Sequence, residues 1–230
     1  MSKKTKTAIA NDHLIEIMEN TIQHYQEFLE YLRYDNNNRH KNAVWLLNRD
    51  ENRYGYWSNR NVVDIITGLT TAFSYMIDQG RTDPLFLDAG CGAGNILLLA
   101  HIIGFDSIGI EIDKKTARIG RKLLKLSSLP RITIIHEDLA TYRQYDIYDV
   151  VYYYQPMHSG SNPMEEFLKL LINGAKIGAL IIADGDDPFK NDKCFKLITH
   201  KKQHIPIYKK VSVKQLGNRY KRGESYDNFK

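Results

Sequence analysis

The stretch that most constrains this chain is Phe86-Leu87-Asp88-Ala89-Gly90-Cys91-Gly92-Ala93-Gly94-Asn95, followed by the apolar run Ile96 to Ala100. It reads as a buried strand, a glycine-rich turn and the first turns of a helix. Gly90 lets the chain leave the strand in a tight turn. Gly92 puts no side chain between the backbone and a ligand, and Gly94 lets helix and strand approach closely. The helix start then offers free N–H groups and a positive dipole end to an anionic group. The acid sits on the strand itself, two residues before the first glycine, as D-x-G-x-G-x-G. A nicotinamide-dinucleotide fingerprint needs G-x-G-x-x-G, and its third glycine is missing.

This arrangement resembles the first motif of the class I S-adenosylmethionine methyltransferases, and two later segments agree with it. Ile108-Gly109-Ile110-Glu111-Ile112-Asp113 resembles that family's second strand, and Ile132-Thr133-Ile134-Ile135-His136-Glu137-Asp138-Leu139 its third. The resemblance spans roughly residues 84 to 185. It implies that Asp88, Ala89, Gly90, Cys91, Gly92, Gly94 and Asn95 form the turn around S-adenosylmethionine. It implies that Glu111, beside Ile112, takes both ribose hydroxyls, and that Asp138 binds the adenine amine beside the Leu139 N–H. The fold it implies is a doubly wound α/β architecture with a mostly parallel seven-stranded sheet. The strand and helix alternation from Pro84 onward argues for the same class independently.

A length of 230 residues suits one globular domain with an extension, and 43% hydrophobic content is enough for a core. The expected division is an N-terminal helical extension and candidate lid over 1–59, the cofactor-binding domain over 60–214 and a basic tail over 215–230. No run of 18 apolar residues and no apolar leader is present, so no membrane span or secretion signal is expected. The only two cysteines, Cys91 and Cys194, suggest no disulfide framework, which fits a reducing cytoplasm. No metal site is expected.

In the extension, Asn11 or Asp12 caps an amphipathic helix to about Tyr34, and a second short helix spans Asn42 to Leu47. Arg53-Tyr54-Gly55-Tyr56-Trp57-Ser58-Asn59 then precedes a helix over Val62 to Ile77. Those rings either close over a cofactor, stack on a flat substrate or cover the sheet edge. Asp113 caps a helix from Lys114 to about Lys125, whose Lys115, Arg118, Lys122 and Lys125 read as a solvated face. Strands are expected over Asp149 to Tyr154 and Gly178 to Ala183. Between them a helix is expected to start at Asn162-Pro163-Met164-Glu165, with Asn162 as cap. Asp184, Asp186 and Asp187 read as turn residues. Residues 195–214 are expected to supply two last strands, including Ile205 to Tyr208 and Val211 to Val213.

The acceptor side is expected at Tyr154-Gln155-Pro156-Met157-His158, because ligands of open α/β sheets bind at the carboxyl ends of the strands. Enzymes of the resembled family that methylate amide or exocyclic nitrogens carry Asn-Pro-Pro-Tyr here, and only the second proline survives in this chain. The carboxylate of the metal-dependent catechol type and the Asn-Asn-Phe-like segment of the non-SET histone lysine type are also absent. Gln155 supplies an amide oxygen and an amide donor, and Tyr154 a hydroxyl and a ring face. His158 is a candidate base, an exposed loop histidine being the commoner case.

The net charge of +5 is unevenly spread, with nine Lys and Arg against two acids in residues 201–230. The first 200 residues hold 23 bases and 25 acids. Cations interleaved with aromatic rings in that last segment suit nucleic acid or another polyanion, and so does a solvated tail. The expected function is methyl transfer from S-adenosylmethionine to an unidentified acceptor. The alternatives are an RNA or DNA methyltransferase and a catalytically silent subunit that binds the donor.

Overall fold

Short apolar runs flanked by glycine and charge alternate with amphipathic helices through the middle of the chain, and each run becomes a strand. The computed structural model describes residues 62–126, 131–185, 187–199 and 204–212. In chain order these form α1 (Val62–Asp78), β1 (Leu85–Ala89), α2 (Asn95–Ile103), β2 (Asp106–Glu111), α3 (Lys114–Leu126) and β3 (Ile132–His136). A 3₁₀ turn (Tyr145–Ile147), β4 (Val150–Tyr153), α4 (Asn162–Gly174), β5 (Leu180–Ala183), β6 (Phe195–Leu197) and β7 (Ile207–Lys210) follow.

The seven strands form one sheet in the order β3-β2-β1-β4-β5-β7-β6. Strands β1 to β5 run parallel, while β7 pairs antiparallel with both β5 and β6. Central strands β4 and β5 are buried at every position, as expected of parallel strands covered on both faces. One face packs Phe86, Val150, Tyr152, Leu180 and Ile182 against Ile65, Leu69 and Ala72 of α1, Leu97 and Leu99 of α2, and Ala117 and Leu124 of α3. The other packs Leu87, Val151, Tyr153 and Ile181 against Phe167 and Leu171 of α4 and the Tyr142, Tyr145 and Tyr148 cluster.

Asp113 caps α3 as expected, its Oδ1 accepting from the Thr116 N–H at 2.7 Å. The cap of α4 is Ser161, not Asn162: the Ser161 Oγ accepts from the Met164 N–H at 3.4 Å, and Pro163 lies within the first helical turn. Of the strand expected over Val211 to Val213, Val211 and Ser212 lie beyond β7 and Val213 lies outside the described residues. Val211 still donates its N–H to Cys194 at 2.8 Å, but the last strand ends at Lys210 and Val211 is exposed. Nor do Ile205 and Pro206 belong to that strand, which begins at Ile207.

Two lysines counted with the basic segment are structural. Lys210 is buried and its Nζ donates to the Ile172 and Asn173 carbonyls at 2.8 and 3.2 Å, closing the C-terminal end of α4. Lys209 donates to the Tyr75 hydroxyl at 3.0 Å. Residues 1–61, which include the expected N-terminal helices and the aromatic segment 53–59, lie outside the described residues, as do Asp186 and residues 201–203 and 213–230.

Candidate functional site

Because β1 to β5 are parallel, Asp88–Asn95, Glu111–Asp113, Glu137–Leu139, Tyr154–His158 and Asp184–Gly185 all stand at one edge of the sheet. The strand order reverses direction between β1 and β4, the switch point at which open α/β sheets hold their ligands.

The turn after β1 is fixed by backbone bonds. The Gly90 and Cys91 N–H groups both donate to Ile110 O at 3.0 Å, and the Gly94 N–H donates to Cys91 O at 2.9 Å. Gly90, Gly92 and Gly94 have φ of +88°, +55° and +91°, a region costly for any residue with a Cβ. Glu111, at the end of β2, reaches across the turn. Its Oε2 accepts from the Gly92 N–H at 3.0 Å and its Oε1 from the Asp113 N–H at 2.7 Å.

Asp88 points into the same place from β1, side by side in register with Gly109 and Tyr152. It is 2% exposed, and its Oδ2 has no hydrogen-bond partner among the described residues. Burial, and then the nearby Glu111 charge, push its carboxyl up to about 8. Cys91, packed beneath the turn, has its thiol raised by burial and by the same two acids. At the end of β3, Asp138 Oδ1 accepts from the Ala140 N–H at 2.9 Å, which folds the loop back. Tyr145 ties that loop to the core through a bond from its hydroxyl to Leu139 O at 3.1 Å.

The opposite wall is the tip of β4. A Cβ on Gly90 would lie 2.6 Å from Pro156 Cβ, so the tip and the glycine turn are in direct contact. Gln155 has φ of +36°, alone among the described non-glycine residues in the left-handed region. It packs over Gly185, where a Cβ would sit 3.1 Å from Gln155 Cγ. Tyr154 and Gln155 are half-buried, while His158 is exposed with Nδ1 2.9 Å from Ser159 O.

This is the class I methyltransferase fold. A protein of Haemophilus influenzae assigned as a methylase superposes with a TM-score of 0.52 at 21% identity, over 63% of this chain and 88% of its own. An RNA methyltransferase from Salinibacter ruber, solved in complex with S-adenosyl-L-homocysteine, gives 0.51 at 18% identity, over 70% and 97%. An Escherichia coli protein assigned as a methyltransferase gives 0.50 at 18%, over 62% and 83%. No family model matches the chain, and no curated protein matches it in sequence.

Within this class I frame three residues gain a place that their sequence did not announce. Asp184 stands where the chain turns out of β5, as expected, and is more than a turn residue. It is buried at the end of β5, where its Oδ2 accepts from the Tyr152 hydroxyl at 2.9 Å and its N–H donates to Tyr153 O at 3.1 Å. Gly109 leaves room for the turn, since a Cβ there would lie 2.5 Å from Cys91 Sγ. An isolated glycine inside an apolar strand is the signal that could have found it. Gly120 does the same on α3, where a Cβ would lie 2.8 Å from Ala93 O.

Proposed function

We propose that the chain is an S-adenosylmethionine-dependent methyltransferase. The observation that carries this reading is the meeting of Glu111 with the Gly90–Gly94 turn, beside a buried carboxyl oxygen on Asp88 that has no partner among the described residues. A ligand with two vicinal hydroxyls and a cationic end fits that donor set. The hydroxyls suit Glu111, whose two oxygens are already oriented by Gly92 and Asp113. The cationic end suits Asp88, and the turn Ala89, Gly90, Cys91, Gly92, Gly94 and Asn95, with its three glycines at positive φ, brings backbone rather than side chains to the ligand. Asp138 and the Leu139 N–H suit an adenine edge, with Ile112 beside the ribose.

When bound, S-adenosylmethionine supplies an electrophilic methyl group on a sulfonium. The chain's own part is to hold an acceptor in line with it and take up the acceptor's proton. Tyr154 and Gln155 are the groups proposed to line that space, because Pro156 seats the tip of β4 directly on Gly90. Gln155 offers an oxygen and an N–H₂ to a planar acceptor, and Tyr154 offers a ring face. His158, whose ring is exposed, is the proposed proton acceptor.

Calorimetry with S-adenosylmethionine tests the reading. Glu111→Ala should weaken binding by about 1.5–3 kcal/mol, the range for hydrogen bonds to a charged group. Unchanged affinity in a folded variant would remove Glu111 from the site and the proposal with it.

A further inference from the structure

The loop after β3 holds the Asp138 carboxylate by a chain of hydrogen bonds that starts in the core. Asp138 Oδ1 accepts from the Ala140 N–H at 2.9 Å. That N–H belongs to the peptide joining Leu139 to Ala140, and the carbonyl of the same peptide accepts from the Tyr145 hydroxyl at 3.1 Å. One amide plane is therefore gripped at both ends, by a core tyrosine and by the carboxylate. A donor on the amide oxygen polarises the N–H conjugated with it, so the two bonds strengthen each other.

Tyr145 is itself tightly placed. It is fully buried in the 3₁₀ turn before β4, edge-on to Tyr142 with ring centroids 5.2 Å apart and packed against Phe167 of α4. Gly174 of α4 sits directly on it, since a Cβ there would lie 3.1 Å from Tyr145 Cβ. Burial, and then the neighbouring Tyr142 and Asp138, raise the Tyr145 hydroxyl, so it stays a protonated donor. The Asp138 carbonyl is fixed separately, accepting from the Thr141 and Tyr142 N–H groups at 3.0 and 2.9 Å. Phenylalanine would fill the space of the Tyr145 ring. What the hydroxyl adds is the bond to the peptide that holds Asp138. Tyr148 makes a useful contrast: it is equally buried, but its hydroxyl pairs with that of Tyr142 at 2.7 Å.

We propose that Tyr145 is a positioning residue for nucleobase selection: through the Leu139–Ala140 peptide it sets the Asp138 carboxylate in the orientation that admits a 6-aminopurine and rejects a 6-oxopurine. The amine of adenine donates to that carboxylate, whereas the oxygen of hypoxanthine meets it acceptor to acceptor. The neighbouring ring nitrogen reverses as well, since in adenine it can accept from the Leu139 N–H and in hypoxanthine it carries a hydrogen of its own. The choice is sharp only if the carboxylate cannot swing away, and the bond from Tyr145 is what holds the peptide that restrains it. This assignment rests on the cofactor reading given above for the identity of the base.

The test is calorimetry of the full-length chain with S-adenosyl-L-homocysteine and with S-inosyl-L-homocysteine, for wild type, Tyr145→Phe and Tyr148→Phe. Wild type should prefer the adenosyl ligand at least ~10-fold. Tyr145→Phe should lower that preference by about 3–10-fold, weakening the adenosyl ligand more than the inosyl one. Tyr148→Phe, which removes an equally buried hydroxyl, should lower the melting temperature and keep the wild-type preference. An unchanged preference in Tyr145→Phe overturns the proposal. An equal fall in Tyr148→Phe does so too, because it marks a general loosening of the tyrosine cluster. Wild type that binds neither ligand overturns the cofactor reading along with this assignment, whereas normal adenosyl binding with an unmoved preference overturns this assignment alone. Amide hydrogen exchange on ligand-free wild type supplies a second test should Tyr145→Phe not fold. The Ala140 N–H should already be protected before any ligand is added. Exchange at the rate of an open loop, slowing only with S-adenosyl-L-homocysteine, would show that the loop is not set in advance and would overturn the proposal.

Discussion

The two walls of the crevice are built on different principles. On the β1–β2 side the contacts are backbone amides closing on a carboxylate or a carbonyl: Gly92 and Asp113 on Glu111, Gly90 and Cys91 on Ile110. On the β4–β5 side the wall is side chains held by packing, with Gln155 in a costly backbone conformation over Gly185 and Pro156 pressed on Gly90. A wall made of backbone admits few sequences, because only glycine tolerates the positive φ and the close approach. A wall made of side chains can be rebuilt for each acceptor. The first wall therefore carries a sequence signature, and the second carries only a position.

The comparison breaks most visibly where the walls touch. Gly90→Ala places a Cβ in the left-handed region and 2.6 Å from Pro156 Cβ. Backbone strain of about 1–2 kcal/mol and overpacking of about 1–3 kcal/mol give a loss of roughly 2–5 kcal/mol. At about 2–4 °C per kcal/mol for a chain of this size, the melting temperature should fall by ~10 °C. If both walls respond as one unit, affinity for S-adenosylmethionine should fall with it. A variant that melts and binds like wild type would show that the tip of β4 yields freely.

A second effect distinguishes the first wall by its charge. Asp88 is raised in the folded protein from the ordinary carboxylate value of 3.8 to about 8, by burial first and by Glu111 second. The folded state thus holds this proton where the unfolded chain has released it. Stability from this group is full below about pH 4, declines as pH rises from about 4 to 8, and levels off above. The steepest slope is about 1.4 kcal/mol per pH unit. Asp88→Asn is neutral throughout and should flatten that decline in thermal melts recorded from pH 5 to 8. Parallel curves for wild type and variant would mean that Asp88 is ionised when buried.

The same difference between walls explains what could be read in advance. The D-x-G-x-G-x-G run and the acid ending β2 led to the seven-stranded sheet through the family they resemble, and the alternation of strands and helices led to the α/β class, because hydrophobic period and glycine-rich turns are local signals. Ser161 displaced Asn162 as the cap of α4 by one residue, a shift that propensity cannot resolve when two good caps adjoin. Asp184 was hidden because an acid after a strand, followed by glycine, has the composition of a turn. Only the long-range partner Tyr152, 32 residues away, shows it to be buried structure. Lys209 and Lys210 looked like members of a basic tail until β7 paired with β5 and carried them into the sheet. Asp184 and the two lysines depend on contacts between distant segments, and such contacts have no local sequence signal.

The mildest change sharpens the comparison most. Gln155 pays for its φ of +36° in conformational energy, while its side chain packs over Gly185. If the strain exists to present the amide to an acceptor, Gln155→Gly should relieve it and raise stability by about 1 kcal/mol, or ~2–4 °C in melting temperature. The loss of side-chain packing on Gly185 and the greater freedom of an unfolded glycine oppose this gain and limit its size. Turnover should move the other way, dropping in single-turnover measurements at saturating S-adenosylmethionine, with cofactor affinity unchanged. Gln155→Asn shares the relief in part, since asparagine tolerates the left-handed region better than glutamine, and keeps a shorter amide. A graded loss of rate from Gln to Asn to Gly would mark the amide as the working group. Lower stability in the glycine variant, with an unaltered rate, would instead make Gln155 a packing residue. The acceptor wall would then have to be sought in Tyr154 alone.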